Sequence, residues 1–161
     1  MDAYDFNILA ILQADATATV AEVAAQIGLS TTPCWKRIQK LENAGVIKRR
    51  VALVSPEKVG LGVSVHIAIA TGDHGVDKVA EFARAVSAMP EVMDFDRLAG
   101  EVDFHIRVVV ADIAAYDAFY RRLTALMPLK SVNSHVVLQT IKHSTELPLA
   151  LSPQAERAPE R

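Results

Sequence analysis

The stretch Leu29-Ser30-Thr31-Thr32-Pro33-Cys34-Trp35-Lys36-Arg37-Ile38-Gln39-Lys40-Leu41-Glu42-Asn43-Ala44-Gly45-Val46-Ile47 reads as a short helix with one buried and one polar side. Ser30 is a natural N-cap, because its hydroxyl can accept from the free N–H groups of the first turn. Pro33 is tolerated in that turn, where no N–H has an intrahelical partner. Cys34, Ile38 and Leu41 recur at helical spacing and form the core-facing stripe. Thr31, Thr32, Trp35, Lys36, Gln39 and Lys40 are left largely on the other side, as hydroxyls, an indole, an amide and cations. Gly45 fits the left-handed residue that ends a helix.

Working outward, Thr19-Val20-Ala21-Glu22 has the spacing of a capping box and opens a helix carrying Val23, Ala24 and Ile27. Gly28 stops it. A turn this short between two helices predicts a helix-turn-helix unit, and a helix from about Tyr4 to Ala14 supplies Ile8, Leu9, Ile11 and Leu12 behind the pair. From Ser30 to Arg50 the cations are Lys36, Arg37, Lys40, Lys48, Arg49 and Arg50, and the one anion is Glu42. The whole chain carries a net charge of -2, so this is a local basic patch and an electrostatic footprint for a polyanion. Base edges and phosphates in a DNA major groove suit the polar face. The expected DNA-contact set is Ser30, Thr31, Thr32, Trp35, Lys36, Arg37, Gln39, Lys40, Lys48 and Arg49. Trp35 has two open readings, stacking on the DNA backbone or packing against the wing.

At 161 residues the chain has room for one or two small domains, and 51% hydrophobic content is enough for real cores. Charges interrupt every apolar run before it reaches the length of a membrane span, so no membrane partner is expected. The acidic start, Met1-Asp2-Ala3-Tyr4-Asp5, lacks the basic and apolar regions of a signal peptide. Cys34 is the one cysteine, so no intrachain disulfide can form. A cytoplasmic location is the expectation. Cys34 lies near Lys36 and Arg37, which would favour a thiolate, but it shares the apolar stripe and reads as packing. Five histidines, His66, His74, His105, His135 and His143, lack compact metal-ligand spacing, so neither a metal site nor any cofactor is expected.

After residue 50 the pattern changes. Residues 51–62 read as a linker strand (Val51-Ala52-Leu53-Val54) and a hinge with Gly60 and Gly62. From Val63 the residues alternate, with Val63, Val65, Ile67 and Ile69 on one face. A helix over Val76 to Met89, a strand over Val92 to Leu98 and a turn at Ala99-Gly100-Glu101-Val102 follow. Next come a strand over Asp103 to Val110, a helix capped by Asp112, and a last strand over Val132 to Ile141. The helix carries Ile113, Tyr116, Phe119, Tyr120, Leu123 and Leu126. The order βαββαβ predicts a ferredoxin-like domain over residues 63–149, with both helices on one face of an antiparallel sheet. The fold class is therefore α+β, a winged helix-turn-helix over residues 1–50 followed by this domain. Residues 150–161 read as a frayed tail. The outer sheet face, with His66, Ala68, Ala70, Val109, Val137 and Ile141, is too apolar for water, so a second copy is expected to cover it. A two-fold dimer matches an inverted-repeat operator.

The chain resembles the Lrp/AsnC, or feast/famine, regulators from about Asp2 to Leu149. The likeness rests on Asp5, Ile8-Leu9, Leu12-Gln13, Leu29-Ser30, Pro33, Arg37, Leu41-Glu42, Gly45-Val46-Ile47, Pro56 and Gly60. In the second half it rests on Pro90-Glu91-Val92, Gly100-Glu101-Val102-Asp103-Phe104 and Ser134. Three longer stretches, Thr31 to Arg37, Ala52 to Gly62 and Tyr116 to Leu123, resemble the subgroup that contains a cysteine-responsive activator. The resemblance implies a transcription regulator that senses an amino acid in its C-terminal domain, and dimers that assemble further, often to octamers. One departure is Thr17, where many relatives carry Arg, so a phosphate contact implied there is missing.

The resemblance also implies the effector site. By themselves, Gly100 and Asp103 are a turn glycine and a solvated strand-end carboxylate. With the family in view, Asp103 becomes the acceptor for an amino acid's ammonium group, and Gly100 lets backbone N–H groups approach its carboxylate. Leu98, Ala99, Glu101 and Val102 complete the loop. Ser134 reads equally as a ligand contact or an ordinary strand serine. L-cysteine is the favoured effector, then leucine or another small apolar amino acid. Two other classes are weighed. An enzyme is not expected, because there is no phosphate loop, nucleophile elbow or paired carboxylates, and catalysis would not need residues 1–50. An architectural, nucleoid-type DNA-binding protein without an effector is the alternative, and the ratio of specific to non-specific affinity separates it from a regulator.

Overall fold

The computed structural model describes residues 1–72 and 75–153. The chain divides into two compact units, Met1–Leu53 with the described residues from Lys142 onward, and Val54–Ile141.

In the first unit, α1 (Ala3–Ala14), α2 (Val20–Ile27) and α3 (Thr31–Asn43) follow their local signals. Helix α2 begins with the Thr19/Glu22 capping box and ends at Gly28 in the left-handed region. Helix α3 ends in a Schellman pair: Val46 N–H donates to Leu41 C=O at 2.9 Å, and Gly45 N–H to Glu42 C=O at 2.9 Å. Gly45 has φ +69°, which is why glycine stands there. The core joins Ile8 and Leu12 of α1, Val23 and Ala24 of α2, and Cys34, Ile38 and Leu41 of α3.

Two expectations are corrected here. Ser30 occupies the N-cap position of α3, but its side chain makes no cap hydrogen bond. Residues 51–55 form no strand, and a 3-10 turn at Glu57–Val59 leads to Gly60. Val51, Leu53 and Val54 remain exposed.

The second unit is the βαββαβ arrangement: β1 (Val63–Thr71), α4 (Val76–Ser87), β2 (Val92–Arg97), β3 (Phe104–Val110), α5 (Ile113–Thr124) and β4 (Leu129–Val136). The sheet order is β2-β3-β1-β4, and every pairing is antiparallel. Val65, Ile67 and Ile69 of β1 and Phe104, Ile106 and Val108 of β3 pack against Phe82 and Val86 of α4 and Phe119 and Leu123 of α5. Asp112 caps α5, with its Oδ1 accepting from Ala115 N–H at 2.7 Å. Ile113, at the start of α5, and Leu126, just beyond its end, are exposed.

The last strand starts three residues earlier than its hydrophobic pattern predicts and stops at Val136. A register shift opposite Ala70 and Thr71 lets Leu129 join the core before the Val132 phase begins. Ile141 therefore lies outside the sheet. Residues 142–149, expected in the second domain, group with the first unit. Leu149–Leu151 form a 3-10 turn, so residues 150 and 151, expected in a frayed tail, have regular structure. The rest of that tail, from residue 154, lies outside the described residues, as does His74.

The sheet register also corrects the reading of the outer face. Besides Ala68 and Val109 it carries Ser64, His66, His105, Arg107, Asp94, Asp96, Asn133 and His135. His66 Nδ1 and His105 Nε2 lie 3.3 Å apart, and Arg107 pairs with Asp94. This face is mixed and largely polar, so apolar exposure alone does not require a partner.

Candidate functional site

Helix α3 presents its polar side to solvent. Ser30, Thr31, Thr32, Trp35, Lys36 and Lys40 are exposed, as are Lys48 and Arg49 beyond the helix. Lys36, Lys40, Lys48 and Arg49 form no salt bridge among the described residues. Arg50 is paired with Glu42 at 3.3 Å. Gln39 is half-buried, and its amide donates to Glu42 at 2.7 Å. Reading a base edge with Gln39 would require that bond to be exchanged.

Arg37 departs furthest from expectation. Its Nη1 lies 2.9 and 2.8 Å from the two oxygens of Asp2 and 2.8 Å from Asp5 Oδ1. Its guanidinium also sits 5.3 Å from the centre of the Tyr4 ring. Asp2 and Asp5 in turn form a capping box at the start of α1. The hydrogen bond that Arg37 donates to Asp5, and next that to Asp2, raise the Arg37 pKa against the lowering effect of burial. Burial works to raise the Asp2 carboxyl, but the Arg37 bond and charge and the Asp5 and Tyr4 backbone hold it below the usual range. The Asp2-x-x-Asp5 spacing ahead of an apolar helix was the available sequence signal for this cap. Nothing local pointed from it to Arg37.

Cys34 is fully buried, and burial pushes its thiol up despite the nearby Arg37 charge. It is a packing residue by both measures.

The proposed effector loop is the hairpin between β2 and β3. Leu98 N–H donates to Asp103 C=O at 2.8 Å and closes it. Leu98, Ala99, Gly100 and Glu101 are exposed, and Val102 and Asp103 are half-buried. Gly100 is exposed with φ +141°, and a Cβ built there would meet nothing within 4 Å, so no neighbour crowds the residue. Asp103 has a structural task in the chain itself. Its Oδ2 accepts from Thr71 N–H at 2.6 Å and from the Thr71 hydroxyl at 3.0 Å, tying the hairpin to the end of β1. Thr71 is buried and had no sequence signal beyond ending a strand.

The structure does not bring Ser134 to this loop within one chain. Ser134 pairs with Ile67, so it shares the helix-covered face, and its hydroxyl accepts from Tyr116 of α5. Burial raises the Tyr116 phenol, and the Ser134 bond opposes that. Asp103 N–H donates instead to Ile69 C=O, two residues along β1 from Ile67 and on its β3 side.

A second unforeseen contact belongs to the first unit. The Gln13 side chain donates to Leu147 C=O at 2.9 Å and accepts from Leu147 N–H at 3.1 Å. One amide thus holds the backbone of the C-terminal segment against α1. Among the described residues there is no group of three or more His, Cys, Asp or Glu able to hold a metal ion, and no helix is long and apolar enough to cross a membrane.

The known proteins that match this chain agree with both units. A winged helix-turn-helix DNA-binding profile matches residues 1–48, and the Lrp/AsnC ligand binding domain matches residues 64–147. The glutamate uptake regulatory protein of Zymomonas mobilis is 44% identical over 158 residues, covering 98% of this chain and 96% of that protein. The DNA-binding transcriptional activator DecR of Escherichia coli is 43% identical over 150 residues, covering 92% and 99%. Among solved structures, a transcriptional regulator from Neisseria meningitidis in complex with L-Met superposes with a TM-score of 0.87. It is 34% identical, over 92% of this chain and 97% of that one. These relatives are regulators rather than enzymes. An N-terminal winged helix-turn-helix, a ligand-binding sheet domain and this degree of identity establish that the chain belongs to the Lrp/AsnC family of DNA-binding transcriptional regulators.

Proposed function

We propose that this chain is a sequence-specific cytoplasmic regulator of amino-acid metabolism whose DNA binding is controlled by a small amino acid. One observation carries the DNA half: Lys36, Lys40, Lys48 and Arg49 stand exposed and, among the described residues, without ion pairs on and just after a helix whose other side is buried. Duplex DNA is the polyanion whose groove admits such a helix. Ser30, Thr31, Thr32 and Trp35 complete the contact surface, with Gln39 once it leaves Glu42.

The effector half centres on residues 98–103, where the exposed, uncrowded Gly100 suits backbone contact with a ligand carboxylate and Asp103 suits an ammonium group. L-cysteine is the favoured effector, followed by leucine or another small apolar amino acid. The L-Met complex of the Neisseria relative supports a small amino acid, sulfur-bearing in that case. Glu101 and Asp103 in the hairpin disfavour a second carboxylate on the ligand, which argues against glutamate itself. Copies of the chain pair through the outer sheet face, assemble further up to an octamer, and meet an inverted-repeat operator. Ser134 joins the effector site only if a neighbouring copy brings it there.

The test has two arms. Thermal-shift screening of the amino acids, L-Cys, L-Leu, L-Met and L-Glu included, must raise the melting temperature for the true effector. Gel shifts on a duplex selected from a random pool must then change with that amino acid, because control requires different affinity for the two states. No shift from any amino acid sinks the sensor reading. Equal affinity for selected and scrambled duplexes would favour an architectural DNA-binding protein.

A further inference from the structure

Apolar packing holds α3 against α1 and α2, but such contact is non-directional and leaves a helix free to rotate and slide by small amounts. Directional bonds remove that freedom, and in the first unit the Arg37 network supplies them. One guanidinium nitrogen of α3 meets three carboxylate oxygens at the start of α1. The same carboxylates close the α1 cap: Asp5 N–H donates to Asp2 Oδ1 at 3.1 Å, and Asp2 N–H to Asp5 Oδ2 at 3.0 Å. The Asp5 side chain is only 6% exposed, so its charge needs the cation it holds. The Tyr4 ring lies against the guanidinium as well. A DNA phosphate competing for Nη1 would have to displace hydrogen-bonded carboxylates, and two carboxylates already balance the Arg37 charge.

Lys36 and Lys40 flank Arg37 on the same helix, one turn apart, and both are exposed. The orientation that Arg37 imposes is therefore the one in which these lysines meet the groove.

We propose that Arg37 is a positioning residue, which locks the DNA-reading helix α3 onto the Asp2/Asp5 cap of α1 and does not itself contact DNA. This rests on the DNA-binding reading above. It differs from a phosphate contact in sign. If Arg37 served a phosphate, removing the nearby anion in Asp5→Asn would tighten binding. If Arg37 serves the clamp, the same change loosens α3 and weakens discrimination.

The experiment uses the full-length chain and duplexes selected from a random pool by the wild type, with scrambled duplexes as reference. Affinities are measured over a range of salt for wild type, Asp5→Asn, Arg37→Met and Lys48→Ala, at temperatures where circular dichroism shows each variant folded. The expected result is a drop of about tenfold in the ratio of selected to scrambled affinity for Asp5→Asn and Arg37→Met, with the salt slope unchanged. Lys48→Ala should instead flatten the slope by about 0.9, the loss of one phosphate contact. The proposal is overturned if Arg37→Met flattens the slope in the same way, or if Asp5→Asn tightens binding. It is equally overturned if both variants melt lower yet keep the wild-type ratio and slope, which would make the clamp purely structural. Should either variant not fold, Asp2→Asn replaces it, since Asp2 is 40% exposed and leaves the Asp5 pair in place. A lower ratio supports the clamp, and tighter binding or an unchanged ratio defeats it. A wild type that selects no duplex defeats the underlying reading and the clamp together.

Discussion

Cys34 shows how far one residue's neighbours decide its chemistry. Two cations beside a thiol suggest a reactive thiolate, yet one of them, Arg37, is turned toward Asp2 and Asp5, and the sulfur is fully buried. Native protein should therefore resist thiol alkylation, and modification should track unfolding in denaturant; rapid labelling under native conditions would contradict the burial. A hydroxyl in the same place would lie in an apolar core, so Cys34→Ser should cost about 1–3 kcal/mol in a denaturant titration. Asp103 teaches a related lesson. Its carboxylate fastens the hairpin to Thr71, so Asp103→Ala would disturb the loop as well as any ligand. Asp103→Asn keeps an acceptor for Thr71 and removes the charge. It should retain selected-duplex binding while weakening the amino-acid response by an order of magnitude or so. Unchanged ligand affinity in titration calorimetry would remove Asp103 from the effector site.

At the scale of elements, caps separate two serine-threonine positions that look alike in sequence. Thr19 bonds the α2 first turn, whereas Ser30 makes no side-chain cap bond. Thr19→Ala should cost about 1 kcal/mol and Ser30→Ala distinctly less, in paired urea melts. Equal losses would mean that Ser30 caps α3 after all. Helix boundaries in this chain were legible because a cap depends on residues within one turn of itself. Strand β4 was less so. Its inward positions include Ser134, and the register shift near Ala70 and Thr71 breaks the alternation that would have marked Leu129.

In the whole molecule, the outer sheet face gathers His66, His105 and His135 from three strands. Burial, then the charges of His105, Arg107 and His135, hold the His66 imidazole below its ordinary value, with Asp94 opposing. The folded state then binds fewer protons than the unfolded one just below pH 6.5. Stability should thus be lost as pH falls below that value and be unaffected by His66 above it. Melting curves of wild type and His66→Gln over a pH series check this, and an unchanged acid slope in His66→Gln would refute it. The C-terminal segment provides a test of the first unit. Gln13→Ala removes both bonds to Leu147, so the Leu147 amide should exchange with solvent faster by nuclear magnetic resonance, while the amides of α2 keep their protection.

The sequence by itself determined the helices and most strands, the split between two units and the chemistry on the open side of α3. Periodicity, caps and turns depend on residues a few positions apart, so they can be read in order along the chain. Tertiary structure alone decided where the long polar side chains end. Arg37 finds Asp5 across 32 residues, and Gln13 finds Leu147 across 134. It also decided that the outer sheet face is polar, that Ser134 faces α5, and that Asp103 holds Thr71. Those outcomes depend on strand register and on which elements meet. A charged group settles against whichever partner the assembled fold brings within reach, and no local pattern encodes that.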